Sequence, residues 1–420
     1  MTGNEAGARF GALSDIRIID LTQMLAGPYG TMMLADHGAE VIKIESPEGD
    51  MSRGATGAAE RAGGRRLSGY FQSIGRGKDS VVLDLKTPGG VRALKALVEG
   101  ADAVVENFRP GVMERLGLGW DVLRAINPRL VYGCLRGFGD PRTGASPYQN
   151  WPAFDVVAQA MGGIMAITGP DAVTPTKVGP GVGDIIPGMM LGFGVLAAIH
   201  HARRTGEGQI VDVAMTDAVL AVCERSVWQR SFDGALPGPE GNHHPFLCPF
   251  GMYPAADGHV TLAAHIDSFF VALCEAIDAP QLAADPDFAR QEARAANRLR
   301  LISILGDITR RFTKAELVAR LGGRMPFGPV MNIAEIAADP HFAAREMIVT
   351  VDEPGQPDAT VAGVPVKMTA TPGGVRRRAP FLGEHTRARL IEAGLTEDEI
   401  EGLIARREAA SFDASERNSE

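Results

Sequence analysis

Asp184 lies in the run Gly179-Pro-Gly-Val-Gly-Asp-Ile-Ile-Pro-Gly188, just before a long apolar stretch. A carboxylate among glycines and apolar residues is costly to bury unless hydrogen bonds or a helix N-terminus hold it. The same desolvation makes it a better nucleophile. The position equally suits an ordinary N-cap aspartate, and the two readings are compatible, because a helix N-terminus could orient a reactive carboxylate. Asn242-His243-His244 holds the only adjacent histidines in a Gly/Pro-rich loop, either facing a ligand or simply part of the loop. A third concentration is cationic. From Arg53 to Lys78 the chain carries Arg53, Arg61, Arg65, Arg66, Arg76 and Lys78 against Glu60 alone. They fall in a Gly/Arg-rich stretch, 46–79, expected as one long loop, either functional or a solvated charged surface.

Several chemistries lose ground by absence. The sequence has no GxSxG elbow, no Walker A loop, no HExxH and no Cys/His metal spacing. Cys134, Cys223, Cys248 and Cys274 show no CxxC pair, which suits reduced, buried thiols in a cytoplasmic protein. No metal is expected.

Alternating strand and helix signals must position these groups. Arg17–Leu21 reads as a strand, a helix opens at Ala26-Gly27-Pro28 and stops at His37-Gly38, and Glu40–Glu45 is a second strand. The unit is βαβ without GxGxxG, so the dinucleotide fingerprint is missing. Strands follow at Ser80–Leu85, Ala103–Glu106, Leu130–Leu135 and Gln209–Val213. Helices are expected at Pro88–Glu99, Phe154–Met161 and Pro187–Arg204. After the Gly/Pro-rich stretch Asp233–Pro254 comes a smaller mixed segment: strand His259–Ala264, helices near Ser268–Ile277, Arg298–Phe312 and Lys314–Leu321, then a crossover at Gly322–Pro329. The tail shows β-like Ile348–Val351 and Val361–Met368, helices near Glu384–Ala393 and Glu397–Ala409, and an expected disordered end, Ser411–Glu420. The domains expected are 1–225, a small domain at 226–330, and a return to the large domain at 331–420.

With 420 residues, 45% hydrophobic and 22% charged, the chain has ordinary globular composition. A net charge of −9 argues against nucleic acid or an anionic membrane as the main partner. Met1–Ser14 lacks a signal-peptide profile. The longest apolar run, Ile185–Ile199, is shorter than the ~20 residues a membrane span needs. It also contains Pro187 and three glycines, so a core helix is expected.

An ordered set of motifs carries a resemblance over nearly the whole chain. It comprises Asp20-Leu-Thr-Gln-Met-Leu-Ala-Gly-Pro28, Leu34-Ala-Asp-His-Gly-Ala-Glu-Val-Ile-Lys-Ile-Glu45, Gly49-Asp50, Leu83-Asp-Leu-Lys86, Val105-Glu-Asn-Phe-Arg-Pro-Gly111, Gly183-Asp184 and Ala379-Pro-Phe-Leu-Gly-Glu-His385. In this order they resemble the class III coenzyme A transferases, which include the formyl-CoA:oxalate and carnitine enzymes. The resemblance implies an α/β fold, with a Rossmann-like large domain built from both chain ends, a small α+β domain and an interlocked-ring homodimer. It implies Asp184 as nucleophile, carrying CoA as an aspartyl thioester between two acids. CoA contacts would come from Leu25, Ala26, Leu83, Asp84, Leu85, Lys86, Asn107, Phe108, Arg109, Arg115 and Asp155. Lys86 and Arg115 suit the phosphates of CoA. No tightly bound cofactor is implied beyond coenzyme A or acyl-CoA as substrate.

The pattern departs from the oxalate enzymes in three places. They carry Gln where this chain has Leu25, Arg where it has Ser46, and a mobile glycine-rich loop where it has Gly241-Asn-His-His-Pro-Phe246. A larger acid, such as a C4 or C5 dicarboxylate with succinyl-CoA as donor, fits better, with Asn242, His243 and His244 near the substrate. Two alternatives share the fold. A 2-methylacyl-CoA racemase needs a His immediately before the residue at 155, where this chain has Phe154. A non-catalytic CoA-binding protein would not need Asp184.

Overall fold

The computed structural model describes residues 11–54, 68–351 and 359–412. It divides into two compact units, Met1–Ile164 with Val178–Val227 and His341–Glu420, and Met165–Lys177 with Trp228–Pro340.

The first unit is built on a parallel sheet. Its strands are β1 (Arg17–Asp20), β2 (Glu40–Glu45), β3 (Asp79–Leu83), β4 (Ala103–Glu106), β5 (Val131–Arg136) and β6 (Ile210–Ala214). They lie in the order β3-β2-β1-β4-β5-β6, and a two-residue strand, Ala409–Ala410, runs antiparallel along the outer edge of β3. β3, β4 and β5 are buried throughout, which is why each carries an apolar stretch, with its polar residues at one end. The chain leaves β1 toward one side of the sheet and resumes at β4 on the other. The carboxyl ends of β1 and β4 therefore flank a switch point, where α/β sheets open a crevice.

Helices α1 (Ala26–Asp36), α2 (Gly69–Gly75) and α3 (Pro88–Glu99) follow β1, precede β3 and follow β3. α3 starts as its residues dictate, with Thr87 capping the Gly90 N–H and Pro88 in the first turn. α2 interrupts the stretch expected as one loop, and Ser68 caps it at the Phe71 N–H. Residues 55–67, with Arg61, Arg65 and Arg66, lie outside the described residues.

The helix Val182–Thr205 begins ahead of the expected Pro187. Pro187 lies in the second turn, where it lacks the N–H that would bond the Gly183 carbonyl and its ring crowds that carbonyl, yet the helix runs through it. Gly181 occupies the N-cap, and Asp184 sits in the first turn rather than at the cap. At 24 residues this helix is longer than the apolar run read from sequence, and long and apolar enough to cross a bilayer. Leu191, Val195, Ala198 and Ile199 instead pack in one core with Ile18, Val105 and Val131. It crosses α1 at backbone contact: a Cβ on Gly188 would lie 2.2 Å from the Ala26 carbonyl oxygen, and one on Gly30 2.4 Å from that of Gly188. Any side chain at either glycine would push the two N-termini apart.

The second unit is α+β. Strands Phe250–Ala255, Gly258–Ala263 and Phe327–Pro329 form an antiparallel sheet, the last of them at the end of the segment expected as a crossover. Helices Asp267–Ala276, Arg298–Thr309 and Lys314–Leu321 close over Val260, Phe270, Phe288, Leu301 and Leu317. In the tail, Ile348–Thr350 pairs with Thr360–Ala362, and helices Thr386–Glu392 and Glu397–Ala405 follow. The segment expected to be disordered begins ordered, with Phe412 stacked 5.0 Å from Phe381, and its remainder, 413–420, lies outside the described residues.

Candidate active site

Where β1, β4 and β5 end, the first unit encloses a cavity of about 330 Å³. Its lining gathers residues far apart in sequence: Gln23–Ala26 after β1, Tyr70 from α2, Asn107–Pro110 after β4, Leu135–Gly137 at the end of β5, Trp151–Phe154, and Asp184. Asp184 is half-buried and, among the described residues, is the only carboxylate in this lining, which has no histidine or cysteine. Two helix N-termini reach the cavity, α1 through Leu25 and Ala26 and the long helix through Asp184. Neither N-cap residue contributes a side-chain bond, and both helix dipoles favour negative charge there; in the long helix the first-turn N–H groups already bond the Pro180 and Gly181 carbonyls and Asp155.

Asp155 serves the second of these N-termini. Its Oδ1 accepts the Gly183 N–H at 2.9 Å and the Gln159 amide at 2.9 Å, which fixes the turn that presents Asp184. Tyr70 brings a phenol to the same cavity. Burial, then the negative charges of Asp184 and Asp50, push its pKa up to about 12, so the hydroxyl keeps its proton as a hydrogen-bond donor.

The two lips across the switch point are laced together. The Asn107 Oδ1 accepts the Gln23 N–H, and its Nδ2 donates to the Gln23 carbonyl, each at 2.8 Å. The expected ligand contact at Asn107 is thus a side chain already spent in large part on the neighbouring main chain. Beneath the β1 lip lies a layer of buried ion pairs. Lys78 Nζ donates to Asp20 at 2.9 Å, Pro28 O at 3.0 Å and Thr31 at 2.8 Å, joining the end of β1 to the first turns of α1. Lys43 sits 2.8 Å from Asp50, and Arg53 2.7 Å from Glu45. Burial alone would raise the Asp20 pKa, but Lys78 and Lys43 bring it down to about 2. The described cations of the 46–79 stretch are therefore structural. Arg53 and Lys78 pair as above, and Arg76 with Asp36 at 2.7 Å.

The residues singled out from sequence divide by place. Asp184, Leu25, Ala26, Asn107, Phe108 and Arg109 come together in the cavity. Leu83, which ends β3, and Asp84, Leu85 and Lys86, which follow it, do not line the cavity, nor does Arg115, exposed in the short helix after the β4 lip, nor Asp155. Asn242, His243 and His244 belong to the second unit. There His244 Nδ1 accepts the Phe246 and Leu247 N–H groups at 3.2 and 3.1 Å, a loop-shaping role, and His243 packs on Tyr253. Sequence reasoning missed Tyr70, Arg136 and Trp151. The cap residue Ser68 marks the turn that carries Tyr70, but nothing local signals Arg136 or Trp151. Among the described residues no three His, Cys, Asp or Glu side chains are grouped to hold a metal ion.

Comparison with known proteins follows the same outline. CoA-transferase family III matches residues 13–386. A succinyl-CoA:mesaconate CoA-transferase from Haloarcula hispanica is 50% identical over 390 residues, 92% of this chain and 97% of that one. A succinyl-CoA–D-citramalate CoA-transferase from Chloroflexus aurantiacus is 38% identical, covering 94% of this chain and 97% of its own. Among solved structures, a CAIB/BAIF family protein from Brucella suis superposes with a TM-score of 0.83 at 33% identity, covering 91% of this chain and all of that one.

Proposed function

The chain belongs to CoA-transferase family III and is a CoA-transferase, and from that premise we propose that it moves CoA from succinyl-CoA, or a similar dicarboxylyl-CoA, to a free C4 or C5 dicarboxylic acid through an aspartyl thioester on Asp184. The observation that carries this reading is the setting of Asp184, one carboxylate in a cavity fed by two helix N-termini. The relatives named for mesaconate and D-citramalate support a dicarboxylic pair of acids.

The chemistry balances without a base. The Asp184 carboxylate attacks the thioester carbonyl, the C–S bond breaks, and a mixed anhydride forms beside CoA thiolate. The thiolate attacks the aspartyl carbonyl of the anhydride, leaving aspartyl-CoA thioester and the donor acid as carboxylate. The acceptor carboxylate then repeats the two exchanges in reverse order. Each step trades one anionic leaving group for another and moves no proton, which fits a lining without histidine. The oxyanion of each tetrahedral intermediate would be met by main-chain N–H groups at the α1 N-terminus and by the Tyr70 hydroxyl. CoA is an extended molecule, and from the cavity it would run past Asn107–Arg109 toward Arg115 in one direction or Leu83–Lys86 in another.

Assembly is part of the same reading. The outer faces of helices Asp155–Met161, Val182–Thr205 and Met215–Val222 expose Val156, Met161, Phe193 and Leu220, with Phe193 at 76% of its full accessibility. Apolar side chains over three packed helices suit burial against a second copy, as in an interlocked homodimer.

The test is chemical trapping. After incubation with succinyl-CoA and no acceptor, hydroxylamine should convert Asp184 to a hydroxamate, seen as a mass shift on the peptide holding Gly183-Asp184-Ile185. Asp184→Ala should fold, bind CoA and lose transfer by several orders of magnitude. An active enzyme that gave no adduct, while α-deuterium washed out of a 2-methylacyl-CoA, would overturn the reading in favour of an isomerase.

A further inference from the structure

Behind the β4 lip lies a second buried charge cluster that the transfer chemistry does not use. Glu106, the last residue of β4, is wholly buried. Its Oε2 accepts the Phe108 N–H at 2.7 Å, and its Oε1 accepts Arg136 Nη2 at 2.6 Å and the Tyr132 hydroxyl at 3.2 Å. Arg136 closes the circuit by donating Nε to the Phe108 carbonyl at 3.3 Å. One ion pair therefore holds both main-chain polar groups of Phe108. Arg136 is backed in turn by Asp140, whose carboxylate takes two bonds from Arg142 at 2.7 Å. Phe108 and Arg136 line the cavity; Glu106 does not.

We propose that Glu106, through Arg136 and the Phe108 main chain, is a positioning residue for the lip Asn107–Arg109 and sets the affinity for acyl-CoA rather than the rate of transfer. On the function proposed above, that lip is part of the CoA site. The geometry separates the two effects. Asp184 is presented by the first turn of its own helix, which Asp155 holds through the Gly183 N–H. The lip has no regular secondary structure of its own, and Asn107 fixes it only on the β1 side. Remove the Glu106–Arg136 pair and Phe108 and Arg109 lose their inner anchor while the nucleophile keeps its place.

The same cluster supplies a readout that packing alone would not give. Burial raises the Glu106 pKa to about 7 against the pull of Arg136. The groups facing it are Arg136, Tyr132 and Cys134 from β5, with Asp140, Arg142 and Asp212 beyond them. As pH falls through 7, Glu106 takes up a proton, its hold on Arg136 weakens, and the KM for acyl-CoA should rise.

The experiment measures KM for succinyl-CoA, kcat, and CoA affinity by calorimetry in the full-length enzyme. Glu106→Gln should raise KM and Kd about tenfold and change kcat less than about twofold, with the acid-side rise in KM flattened. Tyr132→Phe removes one hydroxyl from the cluster and should shift KM the same way by about two- to threefold, which keeps the test open if Glu106→Gln is insoluble. A fall in kcat at unchanged KM, or no change in either variant, overturns the positioning role. Arg109→Gln tells the two readings apart. If it leaves KM for succinyl-CoA unchanged, the lip is not a CoA contact and the reading of the site fails; if it raises KM while Glu106→Gln does not, only the positioning role fails.

Discussion

The two ends of the parallel sheet carry charge in different ways. At the carboxyl ends, under the cavity, Asp20, Lys43, Glu45, Asp50, Arg53 and Lys78 are all sealed from solvent in discrete pairs. At the amino ends, Arg17 and Arg389 share Glu40, and Arg389 also reaches Glu392 and the buried Asp79, which Arg377 approaches from a half-exposed position. Buried pairs rarely outperform apolar residues of the same volume, yet breaking one by removing a partner is expensive. Exposed pairs contribute little and fade with salt. The carboxyl-end pairs thus serve geometry, holding the loops that line the cavity, whereas the amino-end network is a looser fastening that docks the C-terminal return onto the sheet.

The sharpest way to break this contrast is Lys78→Met. It takes the paired cation from the buried Asp20 carboxylate and leaves only Thr31 bonding that carboxylate from α1, and should cost about 3–5 kcal/mol in urea unfolding. Activity per folded molecule should fall as well, because the β1 lip and the α1 N-terminus move. Next is acid. The Asp20 pKa is lowered in the fold to about 2 from an ordinary 3.8, so its contribution is fully present above pH ~4 and is lost as pH falls toward 2. Asp20→Asn should lack that segment of the acid unfolding curve. Arg389→Ala, at the other end, removes a shared cation but leaves Asp79 with Arg377 and His385, so about 1–2 kcal/mol is expected. Glu392→Gln is the smallest, below about 0.5 kcal/mol and erased in 1 M salt, where the screening length is about 3 Å. A Lys78→Met protein no less stable than Glu392→Gln would abolish the distinction.

What the sequence could reveal follows the same division. β2, α3 and β4 were legible to the residue, because short β-branched runs (Val41-Ile42, Val104-Val105) mark the strands and Thr87-Pro88 is a strong helix start. Asp184 and the β1 and β4 lips were legible as motifs. The buried pairs were not. Arg53, Arg76 and Lys78 look like loop cations because their partners lie 8, 40 and 58 residues away, and no local pattern links them. The start of the long helix was misplaced for a related reason: proline suggested a first turn, while Asp155, 28 residues away, holds the Gly183 N–H in a turn that lies further back. Tyr70 escaped because an aromatic hydroxyl gains meaning only from the carboxylate it meets.

The two-residue strand at Ala409–Ala410 has a consequence for how the molecule is made. β3 is buried along its whole length and, in the finished sheet, its outer edge is covered by Ala409–Ala410 beside Val82 and Leu83 and by His385 and Thr386, which bond Ser80 and Val82. That cover is synthesised roughly 325 residues after β3, so at ~5–20 residues per second the edge stays uncovered for ~20–60 s on the ribosome. An open, apolar strand edge is a template for pairing with other chains. The nascent chain is therefore most vulnerable to aggregation through β3 during that interval, and a chain truncated before Gly383 would remain so permanently.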